Sequence, residues 1–371
     1  MSMEPMDLRS DTLSRPDPAM LHAMANADHG DDRYGESTAT TELEEHCAAL
    51  FGKESGLFMP SATMSNQVAL KVLATRGGDV LCEAGHHLDE FAAAAAADLA
   101  GVTVNAVTSA DGFLRPEAAA LPTTGLVWVE NTITARGGRI HPLPLLTALK
   151  EWTGRRGIPV YLDGARIMHA VAATGVAPAA WGATSDAMAL CFAKGLGAPF
   201  GSVLLGTADF IRVARRYRRW YGGALHRSGP AAAAALWALR HNSTRLAEDH
   251  ANAALFAAML AESPHVEVTR PDTNIVHVDV SRLHLSPAEF VVRAAEAGVR
   301  VLAGRRGEIR AVFGGGTSRR QAIRAAERLI AVAGRIGPAR TLTLGGVPWW
   351  DRIGPSYPVT VSAQAQSRTW R

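Results

Sequence analysis

A single lysine ends an apolar stretch near the middle of the chain. The run 187–192 is followed by Lys194, and a turn rich in glycine and proline leads into a second apolar run, 202–206. This pattern predicts a strand, a tight turn and a second strand, with the lysine at the edge of a sheet. Apolar surroundings favour its neutral amine, which can attack an aldehyde. This stretch alone equally allows a lysine whose stem packs on apolar neighbours while its amine reaches water.

The composition singles out the same residue. The chain has 38 basic residues, and four of them are lysines: Lys53, Lys71, Lys150 and Lys194. The first three lie in polar or amphipathic surroundings, whereas Lys194 is flanked by apolar residues and glycines. Because arginine cannot form a Schiff base, a lysine kept at this position in an arginine-rich chain indicates amine chemistry.

Composition also excludes several classes of protein. The 371 residues are 47% hydrophobic and 20% charged, which is typical of a globular protein with a large core. The net charge of +3, with no basic stripe interleaved with aromatic residues, argues against nucleic acid as a partner. No apolar run reaches the roughly 20 residues of a membrane span. Three scattered cysteines predict a reducing, cytoplasmic location and no metal centre: Cys47, Cys82 and Cys191.

Short apolar strands alternate with helical patterns through the first two thirds of the chain. This alternation predicts an α/β fold with a mostly parallel sheet and helices on both faces. Ligands of such sheets bind at the carboxyl ends of the strands. The polar residues predicted at those ends are Ser61, His87, Asn131, Asp163 and Lys194. We therefore expect these side chains to converge on one site.

The remaining sequence predicts further units. Alternating strands and two amphipathic helices after residue 263 indicate a small α+β domain. The expected organisation is an N-terminal arm, a large domain, a small C-terminal domain and a C-terminal extension, at 1–16, 17–263, 264–335 and 336–371. The extension carries Trp349 and Trp350, which we expect to be ordered and buried against the body of the oligomer. The alternative is a tail that crosses the surface and contributes only to stability or assembly.

Two helix starts have identifiable signals. Thr41 and Glu44 have the spacing of a capping box for a helix over 40–51. Ser61 follows a short apolar strand and precedes a predicted helix over 67–74. Free backbone N–H groups and hydroxyls at such a strand-to-helix junction form an anion site, although a serine there also serves as a plain helix cap.

These features together match the needs of pyridoxal phosphate. A lysine holds its aldehyde, a carboxylate such as Asp163 keeps the pyridine nitrogen protonated, and a helix start takes the phosphate. A flat side chain such as an imidazole stacks on the ring.

The chain resembles the L-threonine aldolase family, whose members share the aspartate-aminotransferase fold, known as fold type I. The resemblance spans about Asp7 to Ala333 and rests on motifs in family order and spacing. The motifs begin at Asp7, Gly30, Gly52, Thr63, Glu130, Asp163 and Lys194. It implies cleavage of a β-hydroxy-α-amino acid to glycine and an aldehyde, in a homodimer or homotetramer with shared sites.

The resemblance also implies residue roles. Lys194 binds the cofactor covalently, Asp163 pairs with the pyridinium, and His87 stacks on the ring and assists proton transfer. Ala62 and Thr63 match the phosphate-binding residues. The residues implied to bind substrate are Ser10, Tyr34, Arg166 and Arg310, with Arg166 also near the cofactor.

Three positions depart from the family pattern. Ala92 replaces a glutamate, Ile133 replaces a histidine and His226 replaces an arginine. The cofactor residues are kept while the substrate side changes, so transaldolation or β-elimination on a related amino acid remains an alternative to aldol cleavage. A non-catalytic protein that keeps the fold is a second alternative, which the retention of Lys194 and Asp163 disfavours.

Overall fold

The computed structural model describes residues 5–116, 123–304 and 307–336. The strands in these residues are β1 (Met6–Asp7), β2 (Ser55–Met59), β3 (Asp79–Glu83), β4 (Thr103–Val107), β5 (Thr124–Glu130), β6 (Val160–Gly164), β7 (Ala187–Cys191), β8 (Ser202–Gly206), β9 (Glu267–Val268), β10 (Ile275–Asp279), β11 (Val299–Arg300), β12 (Leu302–Ala303) and β13 (Glu308–Val312).

The helices alternate with these strands along most of the chain. They are α1 (Pro18–Ala25), α2 (Thr38–Phe51), α3 (Ala62–Leu73), α4 (Ala93–Ala95, between the π-helical turns Leu88–Ala92 and Ala96–Ala100), α5 (Leu143–Gly154), α6 (Ile167–Thr174), α7 (Pro178–Gly182), α8 (Ala208–Trp220), α9 (Gly229–Asn242), α10 (Leu246–Ala261), α11 (Pro287–Glu296) and α12 (Arg319–Ile336).

The central sheet has seven strands in the order β2-β8-β7-β6-β5-β3-β4. Strand β8 is antiparallel to both its neighbours, and the other adjacent pairs are parallel. The carboxyl ends of β3, β5, β6 and β7 therefore meet at one edge, as the alternation of strands and helices predicts.

The middle strands are buried on both faces. In β5, Val127 and Val129 pack into one hydrophobic cluster while Leu126 and Trp128 pack into another on the opposite face. Such strands are apolar at every position rather than at alternate ones, because helices cover both sides of a parallel sheet.

A second, antiparallel sheet has the order β12-β13-β10-β9 and packs with α11 and α12 around a separate apolar cluster. The N-terminal segment is tied to this region, since β1 pairs in parallel with β11. The bounds of the four predicted units stay predictions, and Trp349 and Trp350 lie outside the described residues. Within the described ranges, no helix is long and apolar enough to span a membrane.

The predicted capping box at Thr41 and Glu44 is wrong. Helix α2 begins earlier, at Thr38, and the side chain of Ser37 caps it. Glu44 instead accepts the backbone N–H of Phe58 through Oε1 at 2.7 Å. This tertiary hydrogen bond joins α2 to β2, and no local sequence signal distinguishes it from a cap.

A buried ion pair anchors the arginine-rich helix α8. The guanidinium of Arg218 donates to Asp32 Oδ2 at 2.5 Å and to the carbonyl of Phe58 at 2.9 Å. Both charged side chains are nearly inaccessible, at 3% and 5% exposed. The pair fixes α8 to the turn at Asp32, and the Phe58 hydrogen bond fixes it to the end of β2, just before the turn that begins α3.

Replacing Arg218 with methionine should lower the free energy of unfolding by about 3–5 kcal/mol, because Asp32 is left buried without its countercharge. Arg219→Met, at an exposed position on the same helix, is the matched control and should change it by about 0.5 kcal/mol or less. Urea unfolding of both variants measures the difference, and equal effects would contradict the role of the pair.

Candidate active site

A cavity of about 260 Å³ lies at the carboxyl edge of the central sheet. Six of the residues predicted from the sequence line it: Ser61, Ala62, Thr63, His87, Asp163 and Lys194. They come from the ends of four different strands, and parallel topology brings those ends together. Asn131, predicted at the same edge, is buried outside the lining, where its Oδ1 accepts the His141 N–H at 3.1 Å.

Lys194 stands on the turn between β7 and β8. The turn closes through a hydrogen bond from the Gly197 N–H to the Lys194 carbonyl, at 2.8 Å. Gly197 has φ +79°, a conformation that glycine adopts without strain. The predicted strand, turn and strand are therefore confirmed, and the lysine side chain faces the cavity.

The start of α3 forms another wall of the cavity. Ser61 has extended backbone, and its side chain accepts the N–H of Met64 at 3.2 Å. The helix starts at Ala62, five residues before the predicted start at Gln67, and its first turn lines the cavity. Unpaired N–H groups of a first helical turn favour an anion at this position.

Asp163 is 2% exposed and held by a chain of hydrogen bonds. Asn66 donates to Asp163 Oδ2 at 2.7 Å, and the Tyr161 hydroxyl donates to Asn66 Oδ1 at 2.8 Å. Burial, followed by the charge of Asp163, raises the pKa of Tyr161 well above its ordinary value, so the phenol stays a donor. Both supporting residues escaped the sequence analysis, because nothing local links a helix residue to a strand almost a hundred positions away.

Glu130 joins the loop that carries His87 to the end of β5. Its Oε2 accepts the His87 N–H at 2.6 Å, and its Oε1 accepts the Thr134 N–H at 2.9 Å. Burial acts to raise the pKa of Glu130, but nearby His86 and these N–H donors outweigh it and lower that pKa. The carboxylate therefore stays ionised and fixes the position of His87.

Arg166 lies beside the cavity rather than in its lining. Its guanidinium donates to both oxygens of Asp11, at 2.8 and 2.7 Å, and to Thr134 Oγ1 at 3.1 Å. Burial acts to raise the pKa of Asp11, but the charge of Arg166 outweighs it and holds the pKa below its ordinary value. All three guanidinium nitrogens are thus engaged within the protein.

The other predicted substrate residues also lie outside the lining. Ser10 bonds to the N–H and hydroxyl of Thr12, and Tyr34 is 72% exposed. Arg310 is half-buried; one terminal nitrogen reaches the Arg9 carbonyl at 3.4 Å, and its buried Nε has no partner. Burial, and then repulsion from Arg166, lowers the pKa of Arg310, so an anion beside it would be favourable.

None of the three departures from the family pattern lines the cavity. Ala92 packs in the apolar cluster under α3, and Ile133 is 1% exposed in the core. His226 is on the surface, 3.2 Å from a carboxylate oxygen of Asp31.

Comparison with known proteins agrees with this geometry. The family model described as beta-eliminating lyase matches residues 7–282. The chain belongs to the beta-eliminating lyase family. A low specificity L-threonine aldolase of Escherichia coli K12 is 38% identical over 285 residues, covering 74% of this chain and 84% of the relative.

Solved structures establish the fold of this lyase-family chain. The threonine aldolase of Leishmania major aligns with a TM-score of 0.75 at 19% identity, covering 89% of this chain and all of that one. An aspartate aminotransferase double mutant of Thermus thermophilus aligns with a TM-score of 0.68 at 16% identity, covering 89% and 92%. The predicted fold type I architecture is confirmed.

The residues of the cavity fit pyridoxal phosphate, the cofactor of this lyase family. An amine, a buried carboxylate and a helix N-terminus line one space, and the cofactor's aldehyde, ring nitrogen and phosphate need those three groups. Within the described ranges, no cluster of three or more His, Cys, Asp or Glu is placed to hold a metal ion.

Four buried histidines have pKa values below that of an exposed imidazole. Burial lowers the pKa of each, to about 3 for His141 and His169 and to about 4 for His250, and in the same direction for His86. The unfolded chain binds these protons near pH 6.5, and the folded protein does not. In the described ranges two carboxyls oppose the trend, since burial raises the pKa of Asp249 to about 6 and also raises that of Glu44.

We expect the free energy of unfolding to fall as the pH is lowered from about 6.5 to about 4, by up to about 1.4 kcal/mol per pH unit for each histidine. Protonation in that window favours the unfolded chain. His141→Asn removes one such group, so its stability should depend less steeply on pH than that of the wild type. Urea unfolding between pH 7 and pH 4.5 measures both slopes, and a stability that rises on acidification would contradict this prediction.

Proposed function

We propose that the protein cleaves the Cα–Cβ bond of a β-hydroxy-α-amino acid such as L-threonine or L-allo-threonine, giving glycine and an aldehyde. The observation that carries the proposal is the convergence of Lys194, Asp163 and the first turn of α3 on one cavity. The name of the Escherichia coli relative points to the bond that is broken.

Four features of the site bind the cofactor in this proposal. Lys194 holds the aldehyde carbon, and Asp163, fixed by Asn66, keeps the ring nitrogen protonated. The N–H groups at Ala62 and Thr63 bind the phosphate, and His87 packs on the ring. When bound, pyridoxal phosphate supplies the electron sink that accepts the electron pair of the broken bond.

The substrate carboxylate binds at Arg310. Its buried Nε lacks a partner, whereas Arg166 is already engaged by Asp11 and Thr134. The charge of Arg166 is neutralised by Asp11, so Arg310 supplies the positive charge and makes the hydrogen bonds to the anion. Ser10 and Tyr34 complete the substrate side in this proposal.

Cleavage requires a base for the β-hydroxyl. As the hydroxyl becomes the aldehyde carbonyl its proton must leave, the Cα–Cβ electron pair passes to Cα, and Cα is then protonated to give glycine. His87 lines the cavity and is fixed through its backbone by Glu130, so its imidazole is the group that accepts the hydroxyl proton.

The positions that differ from the family support aldol cleavage over transaldolation or β-elimination. Ala92 and Ile133 are packed in the core and His226 is at the surface, so none of them changes the groups that line the cavity of its own subunit.

The active form is a homodimer or homotetramer with shared sites. Large apolar side chains are exposed, and Phe200 lies both at the surface and in the cavity lining. The other exposed aromatic side chains in the described ranges are Tyr34, Phe91 and Trp220. Exposed apolar residues of this size favour burial against another subunit.

The proposed location is the cytoplasm. The three cysteines of the chain are free and buried, which fits a reducing compartment.

The direct test is incubation of the holoenzyme with L-threonine, L-allo-threonine and L-serine, with glycine and aldehyde measured together. Equal amounts of glycine and acetaldehyde from either threonine isomer are expected. Ammonia and a keto acid would instead indicate β-elimination and overturn the proposal.

Lys194→Ala should abolish turnover and covalent cofactor attachment, because no other lysine lines the described cavity. Borohydride reduction followed by peptide mass spectrometry should locate the cofactor on Lys194 in the wild type. Lys71→Ala is the control and should retain both properties. Reducible cofactor still bound covalently to the Lys194→Ala protein would refute the assignment.

Asp163→Asn should keep the fold and cofactor binding but lower kcat by orders of magnitude, because a neutral pyridine is a poor electron sink. Asp209→Asn, at a side chain 89% exposed, is the control. Steady-state kinetics compare the two, and near-normal turnover in Asp163→Asn would contradict the role.

A monomeric mass together with full activity would refute the proposed oligomer. We expect light scattering to give at least a dimer, and Trp220→Glu to weaken association because it places a charge in the apolar contact. Arg219→Glu, an exposed neighbour without an apolar side chain, controls for the added charge.

A further inference from the structure

Two histidines form a pair beneath the turn that carries Lys194. His169 lies on α6 and His250 on α10, and His169 Nδ1 is 2.9 Å from His250 Nε2. The ring centroids are 5.1 Å apart, and His169 is 2% exposed. Neither residue lines the cavity, and nothing in the proposed chemistry uses them.

The ring of His169 rests against the residue next to Lys194. A Cβ placed on Gly195 would lie 2.2 Å from His169 Nε2 and 3.1 Å from Leu246 Cδ2. Gly195 does not have a positive φ, so the requirement for glycine is steric: the imidazole edge occupies the space that any side chain would need. Contact this close means that the position of His169 sets the position of the turn.

Side chains from the ends of α9 and α10 hold the same turn by hydrogen bonds. Arg245 Nη2 donates to the Gly195 carbonyl at 2.8 Å, and Asn242 Nδ2 donates to the Leu196 carbonyl at 2.7 Å. His250 follows one turn of α10 after Leu246. Helix α10 therefore contacts the turn directly and also through His169.

The pair adds no positive charge beneath Lys194. Burial lowers the pKa of both imidazoles far below neutrality, and Arg166 and Arg245 lower that of His169 further while Asp11 opposes them. A neutral ring can pack closely under the lysine turn, whereas a cation there would repel a protonated amine.

We propose that His169, clamped by His250, is a positioning residue that holds the Lys194 turn so that the lysine amine faces the cofactor cavity. This inference rests on the proposed role of Lys194. It predicts that loosening the pair changes the reactivity of one lysine and leaves the rest of the protein intact.

The test uses the small number of lysines in the chain. The protein without cofactor is labelled with trinitrobenzenesulfonate, and the labelling rate of each lysine is measured by peptide mass spectrometry. In His169→Ala and His250→Ala the rate at Lys194 should change severalfold, while Lys53, Lys71 and Lys150 serve as internal standards. In the holoenzyme, kcat should fall by about tenfold or more with little change in KM, because the reacting group is misplaced.

His141→Asn is the matched control, since His141 is as deeply buried and has a similarly lowered pKa but does not touch the turn. It should leave labelling at Lys194 unchanged. Unchanged Lys194 labelling in both pair variants would overturn the inference. Failure of borohydride to fix the cofactor on Lys194 in the wild type would instead overturn the proposed function.

The single variant Gly195→Ala tests the contact even if His169→Ala is unstable, and a double variant tests its steric cause. Gly195→Ala alone should displace the turn, with a shift in Lys194 labelling, because its methyl meets the imidazole. Adding His169→Ala removes the obstacle and should bring the labelling rate back towards the wild-type value. A Gly195→Ala protein that labels like the wild type, or a double variant no better than Gly195→Ala, would contradict the proposal.

Discussion

The buried ion pair between Asp11 and Arg166 is the interaction on which the site depends. It joins the N-terminal arm to the end of β6, and Asn274, just before β10 of the second sheet, donates to the same carboxylate at 3.2 Å. Both charges are desolvated, so their attraction offsets a large penalty only while the geometry is kept. Loss of either partner would leave a buried charge where three parts of the chain meet.

From this pair, polar contacts extend along the carboxyl edge of the sheet. Arg166 donates to Thr134, the Thr134 N–H donates to Glu130, and Glu130 holds the loop of His87. Because these contacts form one chain, the backbone of His87 and the guanidinium of Arg166 keep one relative position. A preorganised site of this kind does not have to reorganise during the reaction.

The turn of Lys194 is held separately, from the helical side. Helices α6 and α10 place an imidazole and a guanidinium against Gly195, while α3 supplies Asn66 to Asp163. The amine and the carboxylate are thus positioned by different helices on a shared sheet. Rigid elements hold reacting groups more accurately than loops do.

The sequence by itself determined the chemistry and its approximate place. Lys194 after an apolar strand, Asp163 at a strand end and Ser61 before a helix are local signals, since strand periodicity, capping and residue type act within a few positions. The alternation of strands and helices then brought these ends to one edge of a parallel sheet.

The hydrogen-bonding and packing partners of these residues could not be found by such local reasoning. The tertiary structure alone decided that Asn66 holds Asp163, that Arg166 is engaged by Asp11 and that His169 lies under Gly195. These contacts join residues up to 155 positions apart, and only the packing of helices on the sheet sets their distances.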